Sequence, residues 1–326
     1  MIITRSPLRI TFGGGGTDLP SYYRKETGFL IAAAIDKYVY VTVFRPFIEG
    51  IFLKYSELEH VDEISQVKHR LIREALVMQK LKTPQIEITT LADVPAGTGL
   101  GSSGSFCTAL LKALYAHRRR LLLPQDLAEL ACHIEIERMG EPVGKQDQYI
   151  SAFGGITCFT FNQDDSVEAR PLDLPIDTIF ELEDRLMLFF TGFTRSAGDI
   201  LEDQREKSRA GEAGMTANLD YVKALARRSQ EALEKGDVPA FGRLMHEHWE
   251  NKKKRSGGMS NPRIDYWYQL GLDNGAVGGK LVGAGGGGFL MFLAEDRLRL
   301  RQAMTGAGLE ELRFHFDFEG TKVVLS

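Results

Sequence analysis

The chain opens on near-alternating apolar positions. Ile2 to Phe12 reads as a strand, and Gly13-Gly14-Gly15-Gly16 stops it. Phe29 to Phe44 is dense in Ile, Val and Tyr and predicts one or two strands, interrupted only by Asp36-Lys37. Leu71, Ala75, Leu76 and Met78 recur at helical spacing within His69–Lys82, and Ile86 to Leu91 has the length of a strand. Phe106 to Tyr115 predicts an apolar helix. Pro124 to Arg138 predicts a second, with Pro124 near its start and Gly140 past its end. Asp147 to Phe153 is a third candidate helix and Ile156 to Phe161 a strand. Beyond a polar stretch, Asn162 to Asp177, strands are predicted at Leu186–Thr191, Lys280–Val282, Phe289–Leu293, Leu312–Phe318 and Lys322–Leu325. Helices are predicted over much of Ala197–Lys235 and at Pro239–Glu250, Ile264–Leu272 and Leu298–Ala307. No 20–50-residue period repeats, which excludes a solenoid. The pattern is mixed α and β in two domains, 1–170 and 171–326, divided in the polar stretch.

Composition narrows the class. The 326 residues fit two domains, and 43% apolar with 26% charged residues fits a folded, soluble chain. A net charge of −4 gives no basic field for nucleic acid. No apolar run reaches the roughly 18 residues of a membrane helix, and the N-terminus lacks a signal-peptide pattern. Cys107, Cys132 and Cys158 are scattered, which predicts reduced thiols and a cytoplasmic protein. The unusual number is 34 glycines, many of them in three clusters.

The cluster Pro95-Ala96-Gly97-Thr98-Gly99-Leu100-Gly101-Ser102-Ser103-Gly104 lies between a strand and a helix. Glycines let backbone amides approach a ligand closely, and a helix N-terminus offers unpaired N–H groups, so the segment predicts a phosphate cradle. The pattern GxGxxG occurs here and again at Gly283-Gly285-Gly288. A dinucleotide fold would need a second strand and an acid about 20 residues on, and Asp126 falls in a helical segment instead. There is no GxxxxGK[ST]. In the first cluster, Gly13 to Gly16 with Thr17-Asp18, Asp18 offers a hydrogen-bond acceptor to hydroxyls, and Arg9 lies on the strand leading in. The third, Gly283-Ala284-Gly285-Gly286-Gly287-Gly288, sits between two apolar strands. Glycines there cost about 0.5–1 kcal/mol each relative to Ala, so the backbone is expected to approach something closely. Glu135, Glu137 and Asp147 are the carboxylates placed to serve a metal and a hydroxyl proton.

In this order the three clusters resemble the GHMP kinases. Pro7-Leu8-Arg9-Ile10-Thr11-Phe12-Gly13 through Asp18 matches their first motif, Pro95 to Ser103 their second, and Lys280 to Gly287 their third. Gly144-Lys145-Gln146-Asp147-Gln148 resembles a galactokinase segment. The resemblance implies an α+β, two-domain GHMP-kinase-like fold with mixed sheets flanked by helices and the active site between the domains. It implies an ATP- and Mg2+-dependent sugar kinase. ATP would lie over Pro95, Ala96, Gly97, Gly99, Leu100, Gly101, Ser102 and Ser103. Ser103 and Glu135 would ligate Mg2+, with Glu137 as the rival position. Asp147 would stand at the attacking hydroxyl with Arg9 beside it, and Asp18 would bind sugar hydroxyls.

Gly13 to Pro20, the Gly144–Gln148 segment and Thr191 to Ala197 look most like the branch that phosphorylates the anomeric hydroxyl of D-glycero-D-manno-heptose 7-phosphate. That reaction makes the 1,7-bisphosphate for GDP-heptose and surface polysaccharide. Gly14 and Gly15 would leave room for a larger sugar. Substrate contacts would come from Gly15, Thr17, Asp18, Lys145, Arg195, Gly285 and Gly286. The run Asn251-Lys252-Lys253-Lys254-Arg255-Ser256, Arg195 and Lys145 are the cations available for a second phosphate. His246 and His248, two apart, diverge on a helix and do not form a metal pair. Fucokinase, another GHMP small-molecule kinase and an inactive sugar sensor are the alternatives. The partner is a small sugar phosphate, and monomer or homodimer stays open.

Overall fold

The structure, a computed structural model, describes residues 1–80, 85–193, 202, 206–207, 213–255 and 258–326. In chain order the elements are β1 (Ile2–Gly13), α1 (Pro20–Glu26), β2 (Gly28–Phe44), β3 (Gly50–Lys54), β4 (Leu58–Val61), α2 (Arg70–Met78), β5 (Gln85–Ala92), α3 (Ser102–His117), α4 (Pro124–Cys132), α5 (Gln146–Phe153), β6 (Ile156–Phe161) and β7 (Val167–Pro171). Then follow α6 (Ile176–Arg185), β8 (Leu186–Phe190), α7 (Ala213–Glu234), α8 (Val238–Lys252), α9 (Pro262–Asp273), β9 (Ala276–Leu281), β10 (Phe289–Ala294), α10 (Arg297–Gly306), β11 (Glu310–Leu312) and β12 (Lys322–Leu325).

Two sheets result. The first runs β12-β1-β2-β5-β3-β4, with β6 and β7 branching from the other half of the long β2. It is mixed: β3 and β5 are parallel and the remaining pairs antiparallel. The second, β11-β8-β10-β9, is antiparallel. The C-terminal strand was expected with the second domain. It pairs with β1 instead, covering an edge that would otherwise expose unpaired backbone. Of the stretch read as strand over Leu312–Phe318 only Leu312 lies in β11, and Phe316 makes a single bridge to Ile35. Strands β3 and β4 have no counterpart in the sequence reading.

A register irregularity in the β1–β2 pair sets the site. At Pro7/Leu8 the pairing skips Asp36-Lys37 of β2. The two unpaired residues break and twist the ladder locally, and the even-numbered side chains of β1 face differently on its two sides. Thr4 and Ser6 reach α3, with hydrogen bonds to Ala109 and Thr108. Past the irregularity Leu8, Ile10 and Phe12 enter a core with α7 and α8. Arg9 and Thr11 thereby turn to the face occupied by α3 and α5.

The sequence-predicted helix Pro124–Arg138 is two pieces. After α4, residues His133–Arg138 form a π turn. The wider turn carries Glu135 into the interior, where it is 2% exposed. Cys107, Cys132 and Cys158 are free and buried, and burial raises the pKa of each thiol. Among the described residues no helix is long and apolar enough to cross a membrane.

Candidate active site

A cavity of about 990 Å³ opens where the three glycine clusters meet. The segment between β5 and α3 folds back on itself because Gly97, Gly99 and Gly101 all take left-handed φ, at 78°, 82° and 78°. Helix α3 begins at Ser102, and its first amides have no intrahelical acceptor. Ala96, Gly97, Gly99, Gly101, Ser102 and Ser103 line the cavity. Pro95 and Leu100 do not. Leu100 is fully buried in the core with its carbonyl on the Arg9 amide, and the Pro95 carbonyl takes the Thr98 hydroxyl.

Arg9 and Asp147 meet at the foot of this loop. The Arg9 Nε and Nη2 both lie 2.7 Å from Asp147 Oδ1, and Nη1 donates to the Gly99 carbonyl at 2.5 Å. Gln146 Nε2 donates to the same Oδ1 at 2.9 Å, while its Oε1 accepts from Thr11. Arg9 Nε, Arg9 Nη2 and Gln146 Nε2 thus converge on one oxygen. Among the described residues none donates to Asp147 Oδ2. Arg9 is 5% exposed, so its charge acts in a poorly hydrated setting.

Glu135 stands on the far side of α3's first turn. Its carboxylate takes the Ser103 hydroxyl on one oxygen and Gln148 Nε2, at 2.6 Å, on the other. Burial raises its pKa to about 7, aided by the Asp147 charge and opposed by these two hydrogen bonds. Glu137 is on the outside of the π turn, paired with His133.

The first cluster divides. Asp18 is buried at the cavity wall, its two oxygens taking the amides of Gly16 (3.0 Å) and Gln146 (3.2 Å). Burial, and then the Asp147 charge, raise its pKa. Gly15 lines the cavity. Gly14 does not widen it: a Cβ there would fall 2.1 Å from the Phe29 carbonyl, so the residue lets the loop pack on β2. Thr17, expected at the substrate, is fully buried instead. Its hydroxyl clamps the Gly14 and Phe29 carbonyls at 2.8 and 2.9 Å.

Lys145 was also expected here, and it points elsewhere. Successive helical positions diverge, so Lys145 departs from the direction of Asp147. Its ammonium donates to the Asp165 carbonyl at 2.7 Å and lines a separate pocket with Tyr23 and Glu129. Arg195 lies outside the described residues.

The close approach expected of the third cluster is to the second. A Cβ on Gly283 would meet Gly99 Cα at 2.6 Å, and one on Gly288 the Thr98 carbonyl at 2.2 Å. Gly283 and Ala284 line the cavity. Gly285 and Gly286, the two positions assigned to substrate, pack against Met259, with the Gly286 amide on its carbonyl at 3.0 Å.

Four further residues line the cavity: His248, Lys252, Arg255 and Lys280. Lys280 had been read only as part of a motif, and His248 only as half of a rejected metal pair. The spacing 248, 252, 255 is i, i+4, i+7, one face of a helix, and that signal was available in the sequence.

The N-terminal domain of the GHMP kinases matches residues 67–155 and their C-terminal domain residues 229–308. Over 98% of this chain and 98% of the relative, the sequence is 32% identical to the D-glycero-alpha-D-manno-heptose 7-phosphate kinase of Campylobacter jejuni. The chain belongs to the GHMP kinases. Like them it is an ATP-dependent phosphotransferase, and its relatives make it a sugar kinase. A Bacteroides fragilis L-fucokinase/L-fucose-1-P guanylyltransferase is 28% identical over 92% of this chain and 36% of its own length. A Bacteroides thetaiotaomicron structure described as a D-glycero-D-manno-heptose 1-phosphate kinase superposes with a TM-score of 0.81 at 27% identity, covering 100% of this chain and 99% of that one. The α+β, two-domain fold expected from the sequence is thus the GHMP kinase fold.

Proposed function

We propose that this GHMP kinase transfers the γ-phosphoryl group of ATP to the anomeric hydroxyl of a D-glycero-D-manno-heptose 7-phosphate, giving the 1,7-bisphosphate that feeds GDP-heptose and surface-polysaccharide synthesis. The observation that carries this reading is Asp147 Oδ2, open between the glycine–serine loop on one side and Asp18 on the other. An acceptor hydroxyl placed there is within reach of both a proton acceptor and a bound triphosphate. The full-length likeness to a heptose 7-phosphate kinase supports the choice of sugar.

In this mechanism Asp147 Oδ2 accepts the hydroxyl proton as the oxygen attacks phosphorus. Gln146 and Arg9 hold the other carboxylate oxygen, so Oδ2 is the free basic atom. Arg9 and the amides at the start of α3 lie where charge grows on the transferred group. Asp18 accepts from sugar hydroxyls on lone pairs that its two backbone donors leave unused.

Ser103 and Glu135 fit a magnesium ion: both offer hard oxygens, and Glu135 is a buried carboxylate with no cationic partner among the described residues. Those residues contain no cluster of three or more His, Cys, Asp or Glu. That suits an ion that keeps several waters and binds through one carboxylate plus substrate phosphates. When bound, the ion would supply positive charge that offsets the charge of the phosphates. Glu135→Gln is expected to raise the half-saturating magnesium concentration by about tenfold and lower kcat, while Glu137→Gln stays within about twofold. Magnesium titrations of both variants check this, and the reverse pattern would move the ligand to Glu137.

The substrate assignment is tested by a coupled ADP-release assay over heptose 7-phosphate, heptose 1-phosphate, unphosphorylated heptose, fucose and galactose. The highest kcat/KM is expected for heptose 7-phosphate, with phosphate appearing at C1 by NMR. Preference for fucose or galactose would overturn the heptose assignment.

A further inference from the structure

The wall of the cavity beside Gly15 and Gly16 carries an unusual concentration of buried basic side chains with no carboxylate partner among the described residues. Lys280, in strand β9, is 2% exposed, and among the described residues its ammonium hydrogen-bonds only to the Phe12 carbonyl, at 3.0 Å. Lys252, at the end of α8, is 6% exposed and donates to the Leu281 and Gly283 carbonyls. Arg255 donates from Nε to Asn218 Oδ1 and from Nη1 to the Gly15 carbonyl, both at 2.9 Å, while its Nη2 is buried without a partner. His248 is 4% exposed, and neither ring nitrogen has a partner. Among the described residues none of the four is ion-paired to a carboxylate. Asp18 is the acid whose charge reaches Arg255. Arg9 adds a further positive charge next to Lys252 and Lys280, its own partner being Asp147.

Buried charges are ordinarily paired, because an unpaired one loses its hydration without return. Here no carboxylate among the described residues offsets that cost, and the basic groups hold their protons less tightly instead. Burial first, and then mutual repulsion, pull Lys252 and His248 well below their usual pKa and Lys280 to about 7; burial alone takes Arg255 to about 10 against the pull of Asp18. Each side chain keeps at least one N–H bond without an acceptor. Donors of this kind, converging on one cavity wall, match the acceptor oxygens and double charge of a phosphate monoester.

We propose that His248, Lys252, Arg255 and Lys280 form a binding site for a phosphate group carried by the acceptor sugar, separate from the glycine–serine loop. The proposal rests on the reading of this enzyme as a sugar phosphate kinase and names the residues that make it one. Two phosphates could supply the same chemistry, that of the sugar and the γ-phosphate of ATP. The position of Arg255, bonded to Gly15 and 2.6 Å from where a Gly16 Cβ would stand, favours the sugar end.

The test uses the full-length enzyme with Lys280→Met and, separately, Arg255→Gln. With heptose 7-phosphate as acceptor, each variant is expected to raise KM for the sugar about 10–100-fold, the range for a lost charge-assisted hydrogen bond, and to leave KM for ATP within about threefold. The preference for heptose 7-phosphate over unphosphorylated heptose should shrink by the same factor. An equal rise in KM for ATP, with that preference unchanged, would overturn the proposal and give the cations to the nucleotide. A second measurement does not need the sugar to be known. Inorganic phosphate should raise the melting temperature of the wild-type apoprotein by a few degrees, and this shift should be lost in Lys280→Met. The unliganded Lys280→Met protein should itself melt about 2–5 °C higher, since an uncompensated buried cation is gone. If the phosphate shift survives in both variants, the site is elsewhere. If it is lost but no sugar phosphate is a substrate, the cations bind phosphate that is not the acceptor's, and the proposal falls with the heptose reading.

Discussion

Asp147→Asn is expected to lower kcat by about 10²–10⁴-fold, the usual worth of a general base, and to change KM for ATP by less than about twofold. The substitution keeps the shape of the side chain. An asparagine carbonyl can still accept the Arg9 and Gln146 hydrogen bonds that now converge on Oδ1 at 2.7 and 2.9 Å. What it cannot do is take a proton at the position of Oδ2. The loss should therefore fall on the chemical step, and rapid-quench measurement of a single turnover would show it there. Retention of full activity would remove Asp147 from proton transfer and leave acceleration to positioning and to the charge of Arg9.

Gly101→Val is expected to weaken ATP binding by at least about a hundredfold and to lower activity in parallel, with far-UV circular dichroism unchanged. Gly101 has φ of 78° and precedes the first residue of α3. A β-branched residue is a strong outlier in that region. Its Cβ would also lie 3.0 Å from Arg9 Cγ, 3.2 Å from Nε and 3.3 Å from Asp147 Cγ. Either the loop unwinds and withdraws the amides at the start of α3, or the Arg9–Asp147 pair is displaced. Both damage the same site. Equilibrium binding of a fluorescent ATP analogue separates the two: wild-type affinity with low turnover would mean that the ion pair moved and the loop held.

Much of this arrangement was written in local pattern. Strand and helix periods located most elements, because a buried strand or an amphipathic helix repeats its apolar positions over enough residues to be seen. Glycine clusters announced the loops, since only close backbone packing or left-handed φ accounts for them. The failures are equally physical. Thr17 and Lys145 lie in the right motifs, yet their side chains leave the chain in the wrong direction, and motif membership says nothing of direction. Gly285 and Gly286 have the right composition but serve Met259. The π turn at His133–Arg138 leaves no mark in composition, although it decides that Glu135 and not Glu137 is inside. Lys280 looks like any lysine until the fold shows what surrounds it. Strands β3 and β4 span only five and four residues, too few to show a period, and β4 is the edge of the sheet.

The contact of Gly283 with Gly99, and of Gly288 with Thr98, has a consequence for how such enzymes diverge and can be recombined. The glycine–serine loop is moulded against a segment that arrives almost two hundred residues later in the chain. Neither loop can accept a side chain at these points unless the other gives way, so the two are expected to change together over evolutionary time. A chimera that joins the N-terminal half of this enzyme to the C-terminal half of a distant relative would inherit mismatched surfaces at its most crowded point. One that transplants both loops as a pair would keep them.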